Sequence, residues 1–171
     1  MDSHPSHDVW EKMRTQLLPF FGDGLQLVIP TSWSALYEAW FKDIEVESFR
    51  ESLRYSTEEL ETRLDKAEVL LLFLVANERP EGVILGYPID REHGMVFYLD
   101  TFATRTRGKG IGRIMLNSLI QWARINGFQT IQLDTEDVNE VGLPLKHFYE
   151  NFGFVVQRLE DDGNITMSLT L

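Results

Sequence analysis

A mixed sheet, mostly antiparallel, with helices packed on its faces is the α/β (α+β) fold class that the sequence predicts. Three observations carry it. The middle of the chain alternates apolar runs with turn signals, so strands follow one another through hairpins. A strand, a long amphipathic segment and a second strand then follow in order, the pattern of a crossover between parallel strands. A short helical piece and a final hairpin close the chain.

Taken from the beginning, residues 1–24 are expected to be an extension, with His4-Pro5-Ser6-His7 disordered and a short helix over Val9–Leu18. Pro19 and Gly22-Asp23-Gly24 should stop it. The remaining domain is assigned to 25–171. Leu25–Ile29 reads as a short strand ended by Pro30. Thr31 or Ser32 would cap a helix over Trp33–Lys42, and Phe49–Tyr55 reads as a further helical piece. Ser56 and Glu59 stand three apart, the spacing of a capping box, and open a helix to about Lys66. Val69–Asn77 and Val83–Ile89 are expected strands, joined by a turn at Glu78-Arg79-Pro80-Glu81-Gly82. Arg91-Glu92-His93-Gly94 turns the chain into a strand over Met95–Ala103.

A helix is expected from Gly110 to Asn126, with Arg113, Asn117, Gln121 and Arg124 on one stripe and Met115, Leu116, Leu119 and Ala123 elsewhere. Thr130–Thr135 is the strand after it. Pro144 starts a short helix ending near Asn151-Gly153, and Phe154–Leu159 and Ile165–Leu169 form the closing hairpin.

Composition narrows the function. Hydrophobic residues make up 43% and charged residues 25%, as in a soluble globular protein, and no apolar run reaches the ~20 residues of a membrane span. The start of the chain lacks the pattern of a secretory signal, and a cytoplasmic protein without membrane association is expected. Without cysteine there is no thiol nucleophile, disulfide or cysteine-ligated metal. A net charge of −11 argues against nucleic acid as a partner. The charge is uneven: Thr101–Arg113 holds four bases (Arg105, Arg107, Lys109, Arg113) and no acids, whereas Glu38–Glu68 holds ten acids and five bases. The basic stretch suggests one small anionic ligand. The acidic stretch is either a wall that attracts a cationic substrate or a solvated outer face.

Arg107-Gly108-Lys109-Gly110-Ile111-Gly112 lies where a strand gives way to a helix. Glycines allow close approach of the main chain, and free N–H groups at a helix start suit a pyrophosphate. A plain strand-to-helix turn is the competing reading. The string fits neither a P-loop nor the dinucleotide fingerprint, whose third glycine would come one residue later.

Arg107-x-x-Gly110-x-Gly112 resembles the signature of the GNAT superfamily of acyl-CoA-dependent N-acyltransferases. Phe148-Tyr149-Glu150-Asn151-Phe152-Gly153-Phe154 is similar to a second segment of that family, and Leu133 to Asn139 resembles its strand-end pattern. The two main motifs stand in order, about forty residues apart. The resemblance implies a sheet splayed at its centre, with acetyl-CoA as co-substrate. The main chain of Thr101, Phe102, Ala103 and Thr104 would pair with the pantetheine arm. Arg107, Gly108, Lys109, Gly110, Ile111 and Gly112 would hold the pyrophosphate, Asn139 would contact the arm, and Tyr149 would face the thioester sulfur. Asn139 and Tyr149 are ten residues apart, a longer interval than is common in that family.

The implied activity is transfer of an acetyl group to a primary amine of a small molecule or peptide, by direct attack on the thioester. The alternative is a non-catalytic CoA-binding module that regulates or docks. Tyr149 suits a proton donor to the departing thiolate, because a phenol stays protonated at neutral pH. Asp134 and Asp100 are candidates for the base, with Glu136 on the same strand face as Asp134. His4, His7, His93 and His147 are too scattered for a metal site. The protein is expected to act as a monomer or homodimer.

Overall fold

The computed structural model describes residues 4–89, 94–139 and 142–171. Its centre is a seven-stranded sheet: β1 (Leu25–Val28), β2 (Leu70–Ala76), β3 (Arg79–Ile89), β4 (Val96–Thr104), β5 (Thr130–Thr135), β6 (Val155–Leu159) and β7 (Ile165–Thr170). The strand order is β1-β2-β3-β4-β5-β7-β6, and only the β4–β5 pair is parallel. Every residue of β2 is buried, as a strand covered on both faces requires.

Two apolar layers cover the sheet. On one face α1 (Pro5–Phe21), α4 (Ile111–Ile125) and α5 (Leu145–Glu150) pack over Leu72, Leu74, Phe97, Leu99 and Ile131. On the other face α2 (Ala35–Ser48) and α3 (Thr57–Leu64) pack through Phe41, Ile44 and Leu60 over Leu71, Phe73, Val75 and Leu85. α4 buries Met115, Leu116, Leu119 and Ala123 and leaves Arg113, Asn117, Gln121 and Arg124 outward or at its margin, as its periodicity predicts.

The first helix departs from expectation. It begins at Pro5, next to His4, whose imidazole Nδ1 accepts the Ser6 N–H, and it runs through Pro19 to Phe21. Proline suits a first helical turn, where its missing N–H costs nothing. Val9, Trp10, Met13 and Leu17 form the buried stripe, and Trp10 stacks on Trp122 of α4 with ring centroids 6.0 Å apart. Met13 and Leu17 are fully buried, each contributing about 2 kcal/mol of apolar transfer. Asn126 donates to Ser6 across the same contact at 3.0 Å. The segment expected to be loose is thus helical from Pro5 and joined to the core.

Two other boundaries differ. The β2–β3 turn is the pair Asn77-Glu78, both with positive φ (51° and 66°), and Arg79 and Pro80 already pair with Ala76 and Val75. Glu81-Gly82 marks a bulge in the hairpin instead of its turn. α2 extends to Ser48, because Ile44 and Glu45 belong to its buried face. After it only Glu51–Leu53 forms a 3-10 turn: Arg54 Nε donates to Phe49 O at 2.8 Å and the Tyr55 N–H donates to Glu45 at 2.8 Å, which holds the chain irregular. Ser56 and Glu59 make the expected capping box. The turn expected at Arg91-Glu92-His93 lies outside the described residues.

Candidate active site

The parallel ladder between β4 and β5 runs from Val96–Thr130 to Leu99–Leu133 and stops. β4 continues to Thr104 with its far edge still bonded to β3, and β5 continues to Thr135 with its far edge bonded to β7. The two strands therefore diverge after Leu99 and Leu133, and the main chain of Thr101–Thr104 faces the gap without a strand partner. An edge of this kind offers N–H and C=O groups to an extended ligand.

α4 starts at the end of this gap. Gly110 caps it with φ 83°, Gly108 has φ 78°, and a Cβ at either would meet nothing within 4 Å. Ile114 is the first α4 residue whose N–H reaches a main-chain carbonyl, that of Gly110 at 3.1 Å. The N–H groups of Ile111, Gly112 and Arg113 are left for a ligand. Arg107, Lys109 and Arg113 are exposed and engage no carboxylate among the described residues.

Arg105 does not belong to this cluster. Its side chain is 5% exposed and it reaches Asp43 at 2.6 Å and Glu47 at 2.5 Å, tying the end of β4 to α2. The basic stretch thus divides into one structural arginine and three cations near the helix start. Much of the acidic stretch is also committed. Besides Asp43 and Glu47, Glu38 bonds Lys42 and Thr57, Glu45 accepts the Tyr55 N–H, and Glu59 serves the capping box.

A bulge shapes the other half of the gap. Gly86 of β3 pairs with Leu99 and Leu85 with Thr101, so Asp100 is an extra residue in β4. Before it, Phe97 and Leu99 face the α1–α4 core; after it, Phe102 packs on that side and Ala103 enters the α2–α3 core. Tyr98, Asp100 and Thr101 thereby come to one face. The Asp100 carboxylate, 2% exposed, accepts four hydrogen bonds: Tyr55 at 2.6 Å and Thr101 at 3.0 Å on Oδ1, Tyr87 at 2.7 Å and Arg63 Nε at 3.0 Å on Oδ2. Arg63 also lies 3.8 Å over the Tyr55 ring. A carboxylate has about four acceptor positions, so Asp100 is saturated. Burial, and then the Asp100 charge or its hydrogen bond, push the Tyr55 and Tyr87 phenols well above their ordinary range.

Asp134, one residue past the last β4–β5 rung, accepts from Thr166 at 2.7 Å and Asn164 at 3.1 Å on Oδ1, and from Tyr98 at 2.6 Å on Oδ2. Burial raises its pKa, but the hydrogen bonds from Tyr98, Thr166 and Asn164 outweigh it and hold the carboxyl below its usual value. Tyr98 is the counterpart: burial and then the bond to Asp134 push its phenol far up. Tyr98 and Tyr87 are cross-strand partners with rings 5.7 Å apart. Glu136, two residues on, bonds Arg50 at 2.8 Å.

On the opposite face, α5 is brought to the gap by aromatic packing. Gly112 leaves room for Phe148 and Phe102, whose rings stack at 6.5 Å. Tyr149 packs against Phe148 at 5.2 Å and Phe154 at 5.6 Å, and burial raises its phenol pKa, so the hydroxyl keeps its proton. Asn139 closes the loop before α5: its side-chain oxygen accepts the Leu143 N–H at 2.9 Å, and its own N–H donates to Leu143 O at 3.0 Å. Tyr55, Arg63, Tyr87, Tyr98, Asn164 and Thr166 were not anticipated. Tyr98 alone left a trace in the sequence, two positions from Asp100 on an alternating strand. Among the described residues no cluster of histidine and carboxylate side chains could hold a metal.

The chain matches the model of the acetyltransferase (GNAT) family over residues 33–154. No curated protein sequence matches it. Among solved structures, it is similar to a GNAT family acetyltransferase from Elizabethkingia anophelis with acetyl-CoA bound, at TM-score 0.62 and 15% identity, covering 87% of this chain and 99% of that one. Naa50 of Arabidopsis thaliana, in complex with the bisubstrate analogue CoA-Ac-MVNAL, superposes at TM-score 0.65 with 20% identity over 86% and 99% of the two chains. The ribosomal-protein-S18-alanine N-acetyltransferase of Escherichia coli gives 0.62 and 19% over 85% and 94%. The family match spans most of the chain and includes both the glycine loop and the tyrosine helix: the chain belongs to the GNAT acetyltransferase family.

Proposed function

We propose that this chain transfers the acetyl group of acetyl-CoA to a primary amine of a small molecule or peptide, by direct attack of the amine on the thioester. The observation that carries the reading is the gap itself. An unpaired β4 edge leads to a helix start with two left-handed glycines and three uncommitted cations. The pantetheine arm would lie along Thr101–Thr104, with the pyrophosphate on the N–H groups of 108–112 beside Arg107 and Lys109. Asn139 would border the arm, and Tyr149 would protonate the leaving thiolate. Of the two candidate bases, Asp134 has an acceptor position to spare and Asp100 has none. The solved relatives bound to acetyl-CoA or to a CoA–peptide conjugate support the same ligand here.

Five of the ten acids in Glu38–Glu68 (Glu38, Asp43, Glu45, Glu47 and Glu59) are committed to partners within the chain, which weakens the reading of this stretch as a wall that prefers a cationic acceptor. The primary amine, with or without further charge, is the common requirement. We place the protein in the cytoplasm, as a monomer or homodimer, with the transferase unit over 25–171 and α1 docked on α4. The test is release of free CoA thiol from acetyl-CoA in the presence of the peptide MVNAL, spermidine, kanamycin or lysine, with calorimetric titration of CoA. Turnover with any acceptor supports the reading. Binding of CoA without turnover favours the regulatory module instead, and failure to bind CoA refutes both.

A further inference from the structure

We propose that Asp100 is a positioning residue: it fastens the α2–α3 side of the gap to the bulge of β4 and so sets acceptor affinity without touching the acceptor. The inference rests on the acetyltransferase reading and adds a residue to it. The start of α4 and Tyr149 belong to the layer on one face of the gap. An acyl-CoA held there leaves its thioester open to attack from the other face. The cover on that other face is residues 49–56, followed by α3.

Beyond the 3-10 turn Glu51–Leu53 this segment has no regular structure, so side chains set its position. Two of its ties are to α2: Arg54 donates to Phe49 O at 2.8 Å and Val46 O at 3.3 Å, and the Tyr55 N–H donates to Glu45. They fold the segment onto the end of the helix, not onto the sheet beside the gap. Asp100 supplies that second attachment. The Tyr55 hydroxyl from the segment and Arg63 Nε from α3 both end on its carboxylate, beside Tyr87 of β3. The other link across the gap, Arg50 to Glu136, is exposed and screened. Asp100 also accepts the Thr101 hydroxyl, and Thr101 opens the stretch of β4 whose main chain faces the gap. The edge assigned to the cofactor and the wall on the acceptor side thus share one anchor. Asp100 can serve both because it is the extra residue of the bulge, free of the pairing that fixes Leu99 and Thr101. A buried ion pair adds little net stability over an apolar replacement, whereas four donors converging on two oxygens define one geometry.

Two measurements test this. In the first, Asp100→Ala, Tyr55→Phe and the double variant are assayed with MVNAL, spermidine, kanamycin and lysine, each substrate varied in turn. Tyr55→Phe keeps the ring stacked on Phe41 and under Arg63 and loses only the hydroxyl, so it serves even where Asp100→Ala does not fold. Each change should raise the acceptor KM roughly three- to thirtyfold and alter kcat by less than about threefold. The acetyl-CoA KM should hold, because 101–104 remain paired to β3. The double variant should be no worse than Asp100→Ala, because Tyr55 acts through Asp100. An unchanged acceptor KM in Tyr55→Phe overturns the anchor. So does a fall in kcat alone, which would put Asp100 in the chemistry, and so do losses that multiply, which would put Tyr55 on the acceptor itself. In the second, amide hydrogen exchange is followed without any substrate. Residues 49–64 should exchange roughly tenfold faster in either single variant, with α4 unchanged; equal rates overturn the anchor. A wild-type protein that acetylates none of the four probes defeats the transferase reading instead, and the exchange still decides whether Asp100 holds the wall.

Discussion

Arg50 and Glu136 meet at 2.8 Å, joining the loop after α2 to the chain just past β5. The pair therefore crosses the open side of the splay. With side chains 44% and 28% exposed it adds less than about 1 kcal/mol to stability. Its effect is expected on access. If the proposed amine acceptor enters on this side, Glu136→Gln should raise its KM roughly three- to tenfold, with the KM for acetyl-CoA unchanged. Steady-state kinetics with each substrate varied in turn will show it. A change confined to the acetyl-CoA KM would place the pair on the cofactor side.

Gly110→Asp introduces both bulk and negative charge at a helix start where a Cβ now meets nothing. CoA affinity should fall by at least about 2 kcal/mol, from lost charged hydrogen bonds and repulsion. The left-handed φ of 83° also strains any other residue, so Gly110→Ala is the control for that cost alone. Calorimetric CoA titration of both variants separates the two effects; equal affinities would move the pyrophosphate elsewhere.

Tyr149→Phe keeps the ring contacts with Phe148 and Phe154 and removes only the hydroxyl. Fold and CoA binding should persist, and kcat should drop roughly ten- to a thousandfold if the thiolate is protonated there. Rates equal to wild type across the pH range would make Tyr149 a packing residue.

Arg105→Ala tests the division of the basic stretch. Two ion pairs and a packed stem are lost, but Asp43 and Glu47 are about half exposed and rehydrate, so the cost should be about 1–3 kcal/mol in denaturant unfolding. CoA affinity should stay within about twofold, because Arg105 faces α2. A large loss of affinity in the folded variant would return Arg105 to the anion site.

Much of the architecture was written in local patterns. β5 falls on Thr130–Thr135 as periodicity and flanking Asn126-Gly127 predict, and Ser56 with Glu59 caps α3 through contacts three residues apart. The glycine loop was readable for the same reason: φ at Gly108 and Gly110 is a property of the residues themselves. Arg105 was misplaced because its partners lie 58 and 62 positions earlier on α2, and no local pattern reports such a pairing. The bonds from Tyr55 and Arg63 to Asp100 span 45 and 37 positions and were equally hidden. Helix α1 was undervalued because Pro19 reads as a stop. Packing of Trp10, Met13 and Leu17 overrides that signal for one last turn.

The extra residue in β4 gives one strand two phases. Upstream of Asp100, odd-numbered positions serve the α1–α4 layer; downstream, even-numbered ones do. Deleting Asp100 would therefore close the bulge without turning the strand over: Gly86–Leu99 and Leu85–Thr101 would become consecutive pairs, and Phe102 and Ala103 would keep their layers. Deleting Leu99 or Thr101 instead would leave the bulge position to be filled by a residue that belongs to a layer. The strand thus tolerates loss of the extra residue in its register, and what it would forfeit is the carboxylate on which Tyr55, Tyr87 and Arg63 converge.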